Sequence, residues 1–364
     1  MKSKSLQGTD LNSRRRATLS DVARRAKVSP VTVSRAIRHP EMVSEELRAR
    51  IDDAVRSLNY IPNHLASALA STRTHIVGCI VPSLTNGVFD NYLNAIQDVL
   101  VRAGIQMLVL NSRYNDAEEE RAIETLLGYH PEAMIVIGVD QTERSRELLK
   151  NSGIPVIQAL DLTDAPIDMI VGFDHRGAGA GAVRYLYDLG HRRIAHLTVQ
   201  TDPRAGRRRA GYLDEMAALG LSAEGLIGVS AGPTTVPLGG ELLGQVLSRA
   251  PDITAVFCCN DDLALGALFE CHRRGIRVPE DLSIVGFNDL AFCEASVPQL
   301  TSVSTERQEA GTWAGNAIVE IIRGSGRRPK TPVVDMGFKI RARASTAPRS
   351  AAPKREGSRA KVKA

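Results

Sequence analysis

The sequence predicts a small all-α helix-turn-helix head followed by an α/β body of two doubly wound parallel-sheet subdomains. Three observations carry that prediction. Charge is unevenly placed: the chain has 46 Lys+Arg and 41 Asp+Glu, but residues 1–72 hold thirteen basic against seven acidic side chains, and 345–364 hold six against one. Basic ends around a net acidic middle imply a polyanion-binding module joined to a body with a different task. Apolar residues in 18–58 recur at helical spacing. From residue 76 onward, short apolar runs alternate with amphipathic stretches, the pattern of repeated strand-helix units.

Bulk properties narrow the classes. At 364 residues the chain exceeds one compact core. No uninterrupted apolar run is long enough for a membrane span, and no apolar segment follows the basic N-terminus, so neither membrane association nor a secretory signal is expected and a cytoplasmic location is. Cys79, Cys258, Cys259, Cys271 and Cys293 show no paired C-x-x-C spacing. They read as small buried residues rather than disulfide or zinc positions.

Residues 1–16 are polar and basic and read as a disordered arm. In TLSDVARRAKVS, Leu19, Val22, Ala23 and Ala26 share one helical face, with Ser20 and Asp21 placed as cap and first-turn carboxylate. Ser29 can cap a second helix with Pro30 in its first turn; Val33, Ala36 and Ile37 supply its inner face. A third helix runs from a cap at Ser44 through Leu47, Ile51, Val55 and Leu58. Two helices joined by a tight turn, braced by a third, form a helix-turn-helix. Its second helix presents outer residues to base edges in the major groove. Arg35, on that outer face, matches guanine O6 and N7 with its fork.

The run TLSDVARRAKVSPVTVSRAIRHPEMVSEELRARIDDAVRSLNYIPNHLASALAS resembles the DNA-binding headpiece of the lactose/galactose repressor family, with DVA, TVSR, VSEELR and LNYIPN at the family's spacing. The resemblance implies a DNA surface made of Thr18, Ser29, Pro30, Val31, Thr32, Ser34 and Arg35. Pro30 and Val31 replace polar or aromatic residues there, which points to apolar readout such as contact with a thymine methyl. It further implies a hinge helix in 63–74, with Asn63, His64, Leu65 and Ala66 touching groove and phosphates and Leu69 wedged into the minor groove.

Strand candidates in the body are IVGCIVP (76–82), IQMLVLN (105–111), AMIVIG (133–138), PVIQAL (155–160), IVGF (170–173), RIAHLT (193–198), AVFCCN (255–260) and LSIVGF (282–287). Ligands of such sheets lie beyond the carboxyl ends of strands, which nominates 83–89, Asp174, Asn260-Asp261 and Asn288-Asp289. The resemblance extends to VGFDHRGAG, LGHRRIAHLT, RRRAGY, the run from FCCNDD to IVGFND, and PQLTSVSTER. It implies a sensor over 75–344 like periplasmic sugar-binding proteins, two lobes crossed three times by the chain. Effector-binding positions carried over are Phe89, Asp174, Arg208, Asn260 and Asn288, and Ser83 joins them from its place after the first strand. Asn288 stands where sugar- and purine-binding members commonly carry Asp; beside Arg208 that favours a carboxylate ligand. PSLTNGVF and the NDDLALGALFEC run resemble the gluconate-operon repressors within the family, so gluconate or a related sugar acid is the expected effector, a neutral sugar or purine the alternative.

Other classes fit less well. VGFDHRGAGAG lacks G-x-G-x-x-G spacing after its strand, and no G-x-S-x-G, P-loop or H-E-x-x-H occurs. His75, His130, His175, His191, His196 and His272 are scattered and read as surface or core residues. No catalytic residue, metal or cofactor is therefore expected. A solute-binding transport protein would suit the body alone, but a headpiece stands where an export signal would. The expected partners are double-stranded, pseudo-palindromic operator DNA, a small effector and a second copy of the chain as homodimer. The segment 345–364 reads as a disordered basic tail without leucine heptads.

Overall fold

The computed structural model describes residues 16–62, 73–324 and 328–349. The chain divides into two compact units, Met1–Thr74 and His75–Ala364. The arm before Arg16 and the anticipated hinge residues Asn63, His64, Leu65, Ala66 and Leu69 lie outside the described residues, as does the segment after Arg349.

The first unit consists of α1 (Leu19–Ala26), α2 (Pro30–Arg38) and α3 (Glu45–Ser57). The cap of α1 is Thr18, two residues before the expected Ser20. The Thr18 hydroxyl accepts from the Asp21 amide at 3.3 Å while the Asp21 carboxylate accepts from the Thr18 amide at 3.0 Å. This reciprocal pair satisfies two orphan donors that Ser20, exposed in the first turn, could not. Lys27 ends α1 in the left-handed region at φ 53, turning the chain into α2. Ser29 caps α2 by accepting from the Thr32 amide at 3.1 Å. The core is small: Val22, Ala23, Ala26, Val33, Ala36, Ile51 and Ala54. Ile37, expected inside, is 37% exposed, because α2 turns only the narrow Val33–Ala36 face inward.

The second unit holds two lobes, each built on a six-stranded sheet among the described residues. The first sheet comprises β1 (Ile76–Val81), β2 (Gln106–Asn111), β3 (Ala133–Ile137), β4 (Val156–Ala159), β5 (Met169–Gly172) and β11 (Val333–Asp335), all parallel, in the order β11-β5-β4-β3-β1-β2. The second comprises β6 (Ile194–Val199), β7 (Ile227–Ser230), β8 (Ala255–Cys258), β9 (Ser283–Phe287), β10 (Thr301–Ser304) and β12 (Lys339–Arg341). Its order is β12-β10-β9-β8-β6-β7, and only β12 runs antiparallel. Runs such as AMIVI and SIVGF are buried throughout because helices cover both sheet faces. The chain crosses between lobes after Gly172, after Ser304 and after Asp335. Strand order reverses between β1 and β3 in one lobe and between β6 and β8 in the other, which makes two topological switch points.

The lobes have separate apolar cores, centred on Phe257 and Phe287 in one and on Tyr92 and Ile135 in the other. All five cysteines are buried and unpaired. No helix among the described residues is long and apolar enough to cross a membrane. The expected sensor boundary at 344 falls short. Ser345 is fully buried, accepting from the Thr301 amide at 2.8 Å and donating to the Ile284 carbonyl at 2.6 Å, and Arg349 bonds the Leu189 carbonyl at 2.8 Å. Residues 345–349 are therefore part of the second lobe rather than of a tail.

Candidate nucleic-acid interface and ligand cleft

On the head, α2 turns its residues as its amphipathic spacing requires. Val31 is 66% exposed, Pro30 and Arg35 are exposed, and Thr32 and Ser34 are half-buried. Ser29 and Thr32 share a 2.8 Å hydroxyl contact at the cap, and the Thr18 hydroxyl is committed to Asp21 at 2.7 Å. Arg35 has no ion pair among the described residues, so its fork is open to an external acceptor. Arg50 pins α3 to α1 by donating to the Ala26 carbonyl at 2.6 Å. Exposed Arg16, Arg24, Arg25, Lys27 and Arg38 make the head's surface basic. A groove-reading helix needs such surroundings, because phosphate neutralisation supplies its affinity.

Between the lobes lies a cleft of about 110 Å³ at the carboxyl ends of β1, β6, β8 and β9, beside both switch points. It brings together four of the six nominated residues: Ser83 from the first lobe and Arg208, Asn260 and Asn288 from the second. Arg208 lies on α8 (Pro203–Ala218) and is 4% exposed. Its Nη1 donates to the Cys259 carbonyl at 2.5 Å, its Nε donates to His175 Nδ1 at 3.1 Å, and its guanidinium carbon sits 3.8 Å from the centroid of the Phe287 ring. Among the described residues Nη2 makes no hydrogen bond. Burial pushes the guanidinium down, to about 10, so it stays charged at neutral pH.

Asn288 follows β9 with φ 109, a region that non-glycine residues seldom occupy, and its buried Oδ1 has no partner. Strain and an orphaned acceptor thus coincide at this residue of the cleft lining. Asn260 caps α10 (Asp261–Arg274), accepting from the Leu263 amide at 3.1 Å. Ser83 Oγ accepts from the Thr85 and Asn86 amides, so its turn shapes the first-lobe wall.

Two nominated residues fall elsewhere. Asp174 is exposed and outside the cleft lining; its carboxylate caps α7 (His175–Asp188) by accepting from the Arg176 amide at 2.9 Å. It follows a first-lobe strand but opens a second-lobe helix, so its position after β5 does not lead into the cleft. Phe89 is 1% exposed and stands behind the wall, its ring centroid 5.3 Å from the Arg204 guanidinium carbon.

The structure adds residues that sequence reasoning passed over. Asp202 and Arg204 form a bidentate pair at 3.0 Å inside the cleft. Burial alone would raise the Asp202 carboxyl, yet Arg204 and Arg208 hold it below its ordinary value. Tyr114, likewise passed over, completes the first-lobe side together with Thr85 and Asn86 of the nominated segment 83–89. Asp202 and Arg204 stand just past β6, so the strand-end rule applied there would have found them. An adjoining recess of about 230 Å³ shares Tyr114, Asp202 and Arg204 and is lined by Asp116, Glu119, Asp140 and Gln141. Burial pushes the Glu119 carboxyl up to about 7. Arg207 ties the lobes together, reaching Asp140 at 2.5 Å and buried Asp161 at 3.1 Å.

A head with an outward reading helix and a two-lobed body with a polar cleft match known proteins along nearly the whole chain. Residues 18–63 match the model of bacterial regulatory proteins of the lacI family, and 183–346 match the periplasmic binding protein-like domain. The HTH-type transcriptional regulator GntR of Pseudomonas aeruginosa is 40% identical over 344 residues, which cover 94% of this chain and 100% of that one. The chain belongs to the lacI family. It is a DNA-binding transcriptional regulator of that family, not an enzyme. Two solved structures of transcriptional regulators are similar. The transcription regulator GntR from Chromobacterium violaceum has 36% identity and a TM-score of 0.71, over 74% of this chain and 99% of that one. A regulator from Silicibacter pomeroyi has 31% identity and a TM-score of 0.84, over 91% and 99%. The lacI-family assignment accounts for both units: a DNA-binding head, and a body whose fold elsewhere closes on small molecules.

Proposed function

We propose that this lacI-family regulator is a dimeric repressor whose hold on a pseudo-palindromic operator is set by gluconate or a close sugar acid. The observation that carries the reading is the pairing of Arg208 with Asn288 in the cleft. One is a desolvated guanidinium with an uncommitted Nη2; the other is a neutral amide where a carboxylate would repel the same ligand. A carboxylate there gains charge-assisted hydrogen bonds in a site that excludes most water. The polar wall of Ser83, Asn86, Thr201, Thr234 and Asn260 suits hydroxyl groups. The GntR-named relatives support the same effector class.

In this reading two heads of a dimer read half-sites through Pro30, Val31 and Arg35, since one head offers too few base contacts for useful specificity. Residues 63–74 connect head to sensor, with Leu69 as wedge. Effector binding changes lobe closure and so the population of the DNA-binding arrangement. The test is thermal unfolding of the purified protein with gluconate, glucose and guanine in turn. Gluconate at about a hundred times its Kd stabilises by about 2.7 kcal/mol, several degrees in Tm. A shift with glucose or guanine and none with gluconate removes the sugar-acid reading.

A further inference from the structure

Arg208 is gripped from the side by a histidine that neither charge pattern nor strand position singles out. His175 opens α7, the first helix after the chain leaves the first lobe. Helices α7 and α8 cross at glycines: a Cβ on Gly179 would stand 2.3 Å from the Arg208 carbonyl oxygen, and one on Gly211 would stand 1.9 Å from that of Arg176. This approach brings the imidazole against the guanidinium. His175 Nδ1 faces Arg208 Nε at 3.1 Å, and Nε2 faces the Leu160 carbonyl oxygen of the first lobe at 2.9 Å.

A guanidinium can only donate and a carbonyl can only accept, so both contacts are hydrogen bonds only for a neutral ring protonated at Nε2. Burial, reinforced by Arg208, holds the ring's pKa well below its ordinary value. The ring is 2% exposed and fixed between Phe173, at a centroid distance of 4.2 Å, and Phe287, at 6.1 Å. Phe287 also carries the Arg208 guanidinium on its face. With Nε on His175, Nη1 on the Cys259 carbonyl and one face on Phe287, the guanidinium has one orientation, and Nη2 is its uncommitted donor.

We propose that His175 is a positioning residue for ligand recognition: it sets the rotation of Arg208 and ties that guanidinium to the first lobe through the Leu160 carbonyl. The proposal rests on the reading of Arg208 as the carboxylate-binding side chain. Leu160 is left-handed at φ 57 and precedes Asp161, the residue Arg207 engages across the lobes. A ligand that engages Arg208 therefore acts on the same strand end that holds the lobes together.

The test uses the full chain. Nitrogen-15 NMR of labelled histidines, assigned by the signal lost in His175→Asn, reports the tautomer without ligand. Protonation at Nε2 with bare Nδ1 is expected; a proton on Nδ1 overturns the proposal. Two variants then separate positioning from folding. In His175→Asn the amide oxygen takes the place of Nδ1 and still accepts from Arg208, whereas His175→Phe fills the space with no acceptor. Both lose the bond to Leu160, so both lower Tm. In calorimetric titration with gluconate, the Asn variant stays within about threefold of the unsubstituted protein, and the Phe variant weakens about tenfold or more. Equal weakening of the two, or none in either, overturns the positioning role. If the unsubstituted protein binds no gluconate, the sugar-acid reading falls. The tautomer, together with an Arg208 Nε–H signal protected in Asn and lost in Phe, still decides the His175 geometry.

Discussion

Replacing Arg208 by Met keeps the length and apolar contact of the side chain and deletes its charge and donors. In the protein the guanidinium is 4% exposed and lies on Phe287, so a carboxylate bonded to Nη2 is screened little by water. A hydrogen bond to a charged group contributes about 1.5–3 kcal/mol under such conditions. At about 1.4 kcal/mol per decade, gluconate Kd should rise roughly 10- to 150-fold. The control ligand is glucitol, which keeps the hydroxyl pattern and replaces the carboxylate with a neutral hydroxymethyl group. Its affinity should change less than about threefold, because no charge-assisted bond is lost. The substitution leaves the Cys259 carbonyl and His175 Nδ1 without their donor, at about 1–3 kcal/mol each, offset in part by no longer burying a cation. Melting temperature is therefore measured alongside. Isothermal titration of both ligands against both proteins closes the cycle. If the preference for gluconate over glucitol survives in Arg208→Met, Arg208 does not read the carboxylate and the effector argument collapses.

Three further outcomes are expected. Arg35→Ala should cost about 1–3 kcal/mol of discrimination at one base pair, seen as 5- to 150-fold weaker binding to the preferred operator with unchanged gluconate affinity; unaltered operator preference would remove Arg35 from the reading surface. Gly211→Ala puts a Cβ 1.9 Å from the Arg176 carbonyl oxygen and should cost about 3 kcal/mol, whereas Gly206→Ala on the same helix meets nothing within 4 Å and should be neutral or stabilising. Similar melting temperatures for the two variants would contradict the close α7–α8 crossing. Glu119 is raised to about 7 by burial, so the folded protein binds more protons than the unfolded one between the ordinary carboxyl value and about 7. Its contribution to stability is thus lost as pH rises through that window. Glu119→Gln should make the slope of Tm against pH less negative between about pH 5 and 8; Asp161 and Asp261, each raised to about 6, still lower Tm as pH rises, while buried His175 and His196, held below their ordinary value, act the other way below about pH 6.5; an unchanged slope would show that Glu119 is not desolvated.

The parts legible in sequence are those whose burial shows in hydrophobicity. The eight anticipated strands each fall where an apolar run predicts them; seven lie inside their sheets, covered on both faces, and β2 is a half-buried edge strand. The strands not anticipated are of another kind. β10 is TSVS, polar yet buried, because Ser302 donates to Asp261 at 2.6 Å and Thr301 donates to the Arg343 carbonyl at 3.2 Å. Hydropathy cannot show burial that hydrogen bonds make possible. β7, β11 and β12 are short edge strands whose pairing is decided by the neighbouring sheet. In the cleft, Asn260 and Asn288 were legible because each closely follows a strand of the lobe that supplies most of the lining, whereas Arg208, on a helix, came only from the family resemblance. Asp174 misled because a strand of one lobe feeds a helix of the other, a tertiary fact that strand spacing does not carry. His175 was indistinguishable from a core histidine, since its partners, Arg208 and Leu160, are brought to it by a helix crossing and a chain crossover.

A ligand shifts a conformational equilibrium only by the difference in its affinity for the two states. A site lined by one lobe would bind alike whether the lobes were open or closed and could regulate nothing. Here Ser83, Asn86 and Tyr114 come from one sheet and Arg208, Asn260 and Asn288 from the other, beside two facing switch points. A molecule bridging them makes its full set of contacts only in the closed arrangement. Arg207 already spans the lobes to Asp140 and Asp161, so on the proposed mechanism a ligand would adjust an arrangement that has some stability without it. The sign of the coupling follows from which arrangement the DNA-bound protein favours. Its size is bounded by the contacts that the first-lobe residues add, and substituting Tyr114 or Asn86 should therefore change the degree of regulation more than the affinity of the isolated second-lobe subsite.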